Sequence, residues 1–462
     1  MKKNRMMTEG KIYPQLFLFA LPLVIGSIFQ LSYNLFDFII IGWFSSTPIS
    51  SQAAVGIANP IMSIFISLFS GMCVGAGIHS SELYGKNDET NLKRQFTSCL
   101  IAGFIFSLVV TIFFVVFLNP ILKISNVTDI NLKEQVRTYL LIIAIGFVFC
   151  FIYNIYASFL RSIGDSYSSL VFLVVSCILN VVLDLVFVIT FKMEVFGVAL
   201  STTISQVISA ILIMLYGKIK YKNLLRFKLN EYVIDKSLLK TSSIYAAGSA
   251  MQQIVLFVGK YLISIKINTY DETVIDAFSS ATKLDEFFFA PAQNFGHAAA
   301  IFISQNKGAK KYERAKKGWW AGFTMNLIYG VIISTLIALF KEQIMNMFIS
   351  SDEGISSSKD AIVELGVNYY SIMAFFYILP CITNSLQSYF RGIGKLNFVF
   401  YSTFVQIIAR VSFVYIFASM SFINPLQATA YATGVGWGFM ISFEVPFLLY
   451  FYRTNRGLQL KN

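Results

Sequence analysis

FLRSIGD at 159–165 recurs as YFRGIGK at 389–395, and the arginines of the two stretches are 230 residues apart (391 − 161). A second pair, LYGKNDETNLKR at 83–94 and NKGAKKYERAKK at 306–317, has its shared glycines 223 residues apart (308 − 85). Both stretches of the second pair end a long apolar segment. Two nearly equal offsets indicate that one unit has been duplicated, so the two halves of the chain should share a fold.

The composition is typical of a protein that lies in a lipid bilayer. Of the 462 residues, 56% are hydrophobic and 13% are charged, which is more apolar surface than a water-soluble protein tolerates. The N-terminal MKKNRMMTEGK leads into a full-length apolar segment without a small-residue cleavage site, so we expect the N-terminus to stay attached. Five cysteines lie inside apolar segments without paired spacing, which predicts neither a disulfide framework nor a metal site.

Apolar segments of about 20 residues, enough to cross roughly 30 Å of hydrocarbon, recur along the chain. There are twelve, at 15–43, 53–82, 97–121, 134–159, 168–191, 196–217, 241–267, 274–304, 317–340, 361–388, 397–421 and 429–452. We therefore predict an all-α integral membrane protein of twelve transmembrane helices in two six-helix lobes, an N-lobe (1–217) and a C-lobe (241–462), joined by a cytoplasmic linker (218–240). Because six is even, a pseudo-twofold axis along the membrane normal should relate the lobes around a central cleft.

The basic residues, which give a net charge of +12, follow alternate loops. One set of loops, together with both termini, holds 26 Lys and Arg residues. The other set holds six: Lys123, Lys133, Lys192, Lys266, Lys341 and Lys359. Positive residues stay on the cytoplasmic side, so we predict a multi-pass plasma (inner) membrane protein with both termini in the cytoplasm. Nucleic acid is not expected as a partner, because no basic domain with exposed aromatics lies outside the membrane.

Two aspartates in the N-lobe spans predict an ion site. Asp37 lies about six residues before the end of the first span and Asp184 about seven before the end of the fifth, so at 1.5 Å per residue both lie roughly 10 Å inside the outer boundary. Thr202 of the sixth span reaches a similar depth, and Asn180 shares the helix face of Asp184. Oxygen groups at one level suit a proton or a sodium ion, and a low dielectric favours the protonated carboxyl. The alternative is that these groups only hydrogen-bond neighbouring helices.

Other polar positions of the first span have two interpretations each. Gln30 and Asn34 lie on roughly the same helix face as Asp37, seven and three residues before it, and either contact substrate or bridge helices through their amides. Pro22 is a candidate helix bend because proline removes an intrahelical hydrogen bond, and the bend is either static or used in function.

The C-lobe does not repeat the acids of the N-lobe. The two offsets place Lys260 opposite Asp37 and Arg410 opposite Asn180. Charged residues inside a membrane are expensive, so the remaining ones either form internal ion pairs or line a substrate path. They are Lys283, Asp285, Glu286, Glu364 and Glu444.

Taken together, PLVIGSIFQLSYNLFDFIIIGW, AAVGIANP, NVVLDLVF, STTISQ and the paired RSIGD and RGIGK loops resemble motifs of the multidrug and toxic compound extrusion (MATE) family over nearly all of the chain. The resemblance implies a twelve-helix exporter that expels cationic or amphiphilic compounds in exchange for protons or sodium ions, with no bound organic cofactor. It implies that the ion site is formed by Asp37, Asn180, Asp184 and Thr202. It implies bending at Pro22 and substrate-facing side chains at Gln30, Tyr33 and Asn154.

The chain departs from the family pattern in the C-lobe. The second sodium site described for some members needs acids in the seventh and tenth spans, where this chain has Lys260 and Glu364. No metal other than sodium at the N-lobe site is expected.

Two other classes of function compete with drug export. A related lipid-linked oligosaccharide or polysaccharide flippase shares the duplicated six-helix lobe, but such flippases usually add two spans. An enzyme or receptor in the membrane is disfavoured by the duplication and by the lack of a Walker A motif, a nucleophile elbow or a zinc signature in the sequence. The expected partners are therefore small-molecule substrates and the lipid bilayer, with the protein acting as a monomer.

Overall fold

The computed structural model describes residues 7–45, 48–124, 129–225, 233–349, 359–420 and 423–454, which are helical and contain no strand within these ranges. The helices of the first half are α1 (Ile12–Phe44), α2 (Pro48–Gly85), α3 (Glu89–Val116), α4 (Leu118–Ile124), α5 (Ile130–Ser162), α6 (Ser166–Leu185), α7 (Glu194–Lys220) and α8 (Lys222–Leu225). Those of the second half are α9 (Lys236–Ile267), α10 (Glu272–Gly308), α11 (Tyr312–Ile349), α12 (Lys359–Phe376), α13 (Ile378–Gly392), α14 (Leu396–Phe417) and α15 (Pro425–Thr454).

Each of the twelve predicted spans corresponds to one of these helices or to a pair of them. Ten helices in the described ranges are long and apolar enough to cross a membrane, and α12 with α13, which meet at an angle of 45°, give an eleventh. The remaining predicted span falls in α10, a 37-residue helix that carries several charged residues, including Lys283, Asp285 and Glu286. The predicted all-α membrane fold is confirmed.

Two predicted spans, the third and the tenth, are divided at prolines. α3 ends at Val116, four residues before Pro120, and α12 ends at Phe376, four residues before Pro380. A proline ring clashes with the carbonyl four residues earlier and offers it no N–H, so each helix stops at that residue. The apolar pattern alone does not reveal these breaks.

Packing divides the chain into two compact units. Unit 1 is Leu21–Ala250, and unit 2 combines Met7–Ala20 with the chain from Met251 onward. The start of the chain belongs to unit 2 because Arg314 of α11 donates hydrogen bonds to three backbone carbonyls between residues 7 and 10. The lobe boundaries predicted from the repeat, 217 and 241, differ from these packing boundaries because α1 and α9 each contribute to both units.

An aromatic core joins α2, α3 and α5 in unit 1. Phe65 stacks on Phe147 with ring centroids 5.5 Å apart, and the edge of Phe114 meets both rings at 4.8 and 5.4 Å. Such pairs contribute about 0.5–1.5 kcal/mol each beyond their buried area. This core fixes the position of α5, which contacts the candidate site described below.

The repeated sequence forms the same turn in both units. Gly164 and Gly394, the shared glycines of the RSIG and RGIG stretches, have φ angles of 87° and 81°. Each donates its N–H to the carbonyl of the repeated arginine three residues earlier, at 3.0 Å, and the next residue donates to a carbonyl five residues earlier, at 2.8 Å. These are glycine-terminated helix ends, in which a positive φ favours a residue without Cβ. The duplication predicted from the sequence is therefore present in the backbone.

We expect Gly164→Ala to lower the free energy of unfolding by about 1–2 kcal/mol, because alanine is strained at a positive φ. Gly56→Ala is the matched control: Gly56 lies inside α2, and an added Cβ there has no neighbour within 4 Å. The control should be neutral or slightly stabilising, since alanine favours helix more than glycine does. Unfolding by SDS in mixed micelles measures both, and equal effects of the two changes would contradict the conformational argument.

Candidate functional site

The four residues predicted as an ion site lie together inside unit 1. Asp37 is carried by α1, Asn180 and Asp184 by α6, and Thr202 by α7. All four side chains are buried, and Asp184 is 0% exposed. Asn180 and Asp184 are one helical turn apart, so they present both side chains on one face of α6.

A hydrogen-bonded chain connects the two acids through α7. The amide of Asn180 donates from Nδ2 to the hydroxyl of Thr202 at 3.3 Å, and that hydroxyl lies 3.5 Å from Asp37 Oδ2. The hydroxyl of Ser201 donates to Asp184 Oδ1. Ser201 and Thr202 also lie 2.9 and 3.0 Å from the carbonyl of Val198, so α7 holds both hydroxyls in place.

The two carboxyl groups lie close to each other. Asp37 and Asp184 are within hydrogen-bonding range. An ionised carboxylate is only an acceptor, so two of them can approach closely only if a proton or another cation lies between them. The geometry therefore suits a group that gains and loses a small cation.

Three oxygens of this cluster have no hydrogen-bond donor among the described residues. They are Asp37 Oδ1, Asn180 Oδ1 and Asp184 Oδ2, all buried. A buried acceptor without a donor costs about 1–3 kcal/mol. Oxygen ligands without nitrogen or sulfur fit a hard cation or a proton, and both would satisfy these atoms.

The helix changes geometry directly beyond the site. A π-helical turn, Val186–Thr190, continues α6 two residues after Asp184, and the N–H of Phe191 bonds to the carbonyl of Val186 at 3.2 Å. Wider turns of this kind often lie at functional sites.

Among the residues predicted to face substrate, one is placed beside the acids. Tyr33 lies close enough to Asp37 to interact with its charge, whereas Gln30 is exposed on α1. Asn154 is partly buried, and its Nδ2 donates to the carbonyl of Cys150 in its own helix at 2.8 Å. The side chain of Asn34 lies outside the described part of the structure. Their role in substrate binding stays a prediction.

Pro22 lies inside α1, which continues as one helix on either side of it. The boundary between the two packing units falls at Ala20 and Leu21, within two residues of this proline. A proline in a helix interior leaves one carbonyl without its intrahelical bond and weakens the helix at that point. A functional bend at Pro22 stays a prediction.

Two site residues were not predicted from the sequence. Ser201 precedes Thr202 in the segment LSTTISQ and donates a hydrogen bond to Asp184. A buried carboxylate needs a nearby donor, and this need is the signal in the sequence that could have identified Ser201. Tyr139 of α5 is 1% exposed and lies within electrostatic range of both Asp37 and Asp184. Its position depends on how α5 packs, which the sequence does not give.

Unit 2 has protein partners for several of its charged residues. Lys260 forms an ion pair with Glu286 at 2.7 Å, and both side chains are about half exposed. Asp285 is buried and accepts hydrogen bonds from Tyr369, at 2.6 Å, and from Tyr377. In the described ranges, no group of three or more His, Cys, Asp and Glu side chains converges as a metal site requires.

The chain matches one family model, MatE, twice, over residues 22–186 and 249–416. The matches begin 227 residues apart (249 − 22), in agreement with the internal repeat. Among curated relatives, probable multidrug resistance protein YpnP of Bacillus subtilis (strain 168) is 26% identical over 457 residues, 98% of each chain. Probable multidrug resistance protein YoeA of the same organism is 26% identical over 354 residues, 75% of each chain. A crystal structure of MATE in complex with MaL6 has a TM-score of 0.90 at 20% identity over 99% of each chain, which shows a common fold.

Proposed function

Because the chain belongs to the MatE family, we propose that it is a secondary active exporter, which expels cationic or amphiphilic compounds in exchange for protons or sodium ions. The resemblance of its sequence motifs to the MATE family is confirmed by the family match. The names of the two Bacillus subtilis relatives, both probable multidrug resistance proteins, support drug export rather than flipping of lipid-linked sugars. The many apolar helices make the chain a multi-pass membrane protein.

The observation that supports ion coupling is the group of three buried oxygens without donors on Asp37, Asn180 and Asp184. These atoms belong to two acids and an amide that α1 and α6 hold together at one site. Such a site changes its charge when a cation binds, which is the property that a coupling site needs. No organic cofactor is needed in this proposal.

A proton is the coupling ion that the geometry favours. The contact between Asp37 and Asp184 suits a proton that the two carboxyl groups share, because one protonated group can then donate to the other. Sodium is the second candidate, since Asn180 and Thr202 add neutral oxygens to the two acids.

Coupling follows from competition between the ion and a cationic substrate. A proton or sodium ion at Asp37 and Asp184 removes negative charge that would otherwise attract a cationic compound. Each ligand can shift a conformational equilibrium only by its differential affinity for the two states, so exchange requires that the ion and the substrate prefer different states. In this proposal, Pro22 lets α1 bend when the site is occupied, and Gln30, Tyr33, Asn34 and Asn154 contact the substrate.

The proposal is tested by export of a fluorescent cationic dye in inverted membrane vesicles. We expect a pH gradient, acidic inside, to drive dye accumulation several-fold above vesicles that lack the protein. An imposed sodium gradient, tested separately, identifies sodium as the driver if it alone produces accumulation. Absence of accumulation under both gradients would refute ion-driven export. Protease added to the same vesicles while they are sealed tests the predicted cytoplasmic termini, because the cytoplasmic face of an inverted vesicle is outward and both ends of the chain should then be cleaved.

A further inference from the structure

Unit 2 contains a buried acid that the proposed function does not use. Glu444 of α15 is 0% exposed, and neither carboxyl oxygen has a hydrogen-bond donor among the described residues. An isolated ionised carboxylate in a dry interior is so costly that such a group takes up a proton or pairs with a cation. The carboxyl of Glu444 therefore requires a proton or a cation as its partner.

The polar groups around Glu444 form a buried network from α9, α13 and α14. Arg391 donates from Nη2 to the side-chain oxygens of Gln252 at 3.0 Å and Gln387 at 2.9 Å. Gln387 in turn lies 3.3 Å from the hydroxyl of Ser402. Ser402, Gln387 and Arg391 are the groups that act on the carboxyl of Glu444.

Arg391 has a buried donor nitrogen without an acceptor in the described part of the chain. Its Nη1 is buried and has no acceptor among the described residues, although the opposite charge of Glu444 acts on it. An unpaired guanidinium nitrogen and an unpaired carboxylate therefore lie in one network without a direct bond between them. This is the arrangement expected of a neutral, protonated Glu444, because an ionised carboxylate would attract the free N–H into a charge-assisted hydrogen bond.

In the described part of unit 1, no acid is among the groups that act on the matching arginine. Arg161 occupies the position in unit 1 that matches Arg391, and the groups that act on it are Tyr153 and Cys73. Glu444 is thus an addition specific to unit 2 and not a structural counter-ion shared by both copies of the turn.

We infer that Glu444 is a proton-binding site of unit 2, separate from Asp37 and Asp184. When the proton leaves, Nη1 of Arg391 donates a hydrogen bond to the carboxylate of Glu444. The proton moves from the carboxyl O–H to water, and the vacated carboxylate accepts the N–H of Arg391. The fixed positive charge of Arg391 repels metal cations, so the ligand is a proton rather than sodium. This inference does not rest on the proposed function.

Within the described ranges, Arg391 is the one charged group that acts on Glu444. α15 packs against α10, α12, α13 and α14. Of the ionisable groups on these helices, Arg391 is the one that acts on Glu444, whereas Asp285 of α10 and Arg410 of α14 act on each other. Titration of this site is therefore expected to depend on Arg391.

Infrared difference spectroscopy of the purified protein between acid and alkaline pH tests the inference without any transport. We expect a protonated-carboxyl band that Glu444→Gln removes and that the double variant Asp37→Asn/Asp184→Asn retains. Arg391→Gln should keep the band over a wider pH range, because the cation that stabilises the carboxylate is gone. Arg161→Gln, the matched change in unit 1, should leave it unaltered, as should addition of sodium.

A label provides a readout that does not depend on a variant folding. Incorporation of glutamate with a ¹³C side-chain carboxyl should shift this band in the unmodified protein. The other buried glutamate in the described ranges, Glu82, is paired with Lys86 at 2.9 Å, so Glu82→Gln is the control that should leave the band in place. Exposed glutamates are ionised at neutral pH, so absence of a glutamate-derived protonated band at neutral pH, or its removal by sodium at fixed pH, would overturn the inference.

Discussion

Asp37→Asn is expected to abolish ion-driven export while leaving the protein folded in the membrane. Asparagine has the size of aspartate, but it cannot gain or lose a proton and brings no negative charge for sodium. Its Nδ2 can donate to Asp184, which contacts Asp37, so the variant resembles a site that is permanently neutral. We expect the gradient-driven rate to fall at least about 100-fold, equivalent to roughly 2.7 kcal/mol of lost coupling.

The measurement is gradient-driven dye accumulation in inverted vesicles at matched protein content. Asp360→Asn is the control, because Asp360 is an exposed residue in the first turn of α12 and its loss should leave accumulation unchanged. Unfolding in detergent should show that Asp37→Asn is at least as stable as the native chain, since burial of an acid is itself costly. Native accumulation by a folded Asp37→Asn protein would remove this residue from coupling.

Ser201→Ala should change how tightly the site holds its proton. The hydroxyl of Ser201 donates to Asp184, and without it the ionised carboxylate loses a bond to a charged group worth about 1.5–3 kcal/mol. The ionised form becomes less favourable, so protons bind roughly 10- to 100-fold more tightly and leave more slowly. We expect the pH dependence of export to move to higher pH and the maximal rate to fall.

A neighbouring hydroxyl provides the control for this change. Ser205 lies one turn further along α7, is equally buried and has a hydroxyl without a partner among the described residues. Ser205→Ala should therefore leave the pH profile in place, and Ser201→Thr, which keeps the donor, should restore it. If Ser201→Ala and Ser205→Ala behave alike, the bond to Asp184 has no part in coupling.

The acid site could be predicted from the sequence because the depth of each residue can be counted from the membrane boundary, which is the same for all spans. Counting residues from the ends of the spans placed Asp37, Asp184 and Thr202 at one level, and helix periodicity added Asn180. The structure brings these four together. Ser201 was not predicted, because the depth of a residue in the membrane does not decide which of two adjacent hydroxyls turns toward a given carboxylate.

Other features depend on packing between helices that are distant in sequence. Glu444 was recognised only as one of several charged residues, since its relation to Arg391 exists only where α13, α14 and α15 pack together. The substrate-facing role of Asn154 stays a prediction, and the bond of its amide to the carbonyl of Cys150 one turn earlier is a local contact that the spacing of residues does not predict. The breaks at Pro120 and Pro380 follow from the local chemistry of proline, but Pro22, Pro60, Pro291 and Pro446 lie inside continuous helices, so the sequence does not tell which proline divides a helix.

The most direct test of ion coupling at Asp37 and Asp184 is ion counterflow in proteoliposomes that contain the purified protein and trapped indicators for pH and sodium. An outward gradient of a cationic dye, with no ion gradient imposed, should drive protons or sodium ions inward in step with dye release. The double variant Asp37→Asn/Asp184→Asn should show no dye-dependent counterflow. Dye release by the native protein without ion movement, or equal counterflow through the double variant, would contradict the account.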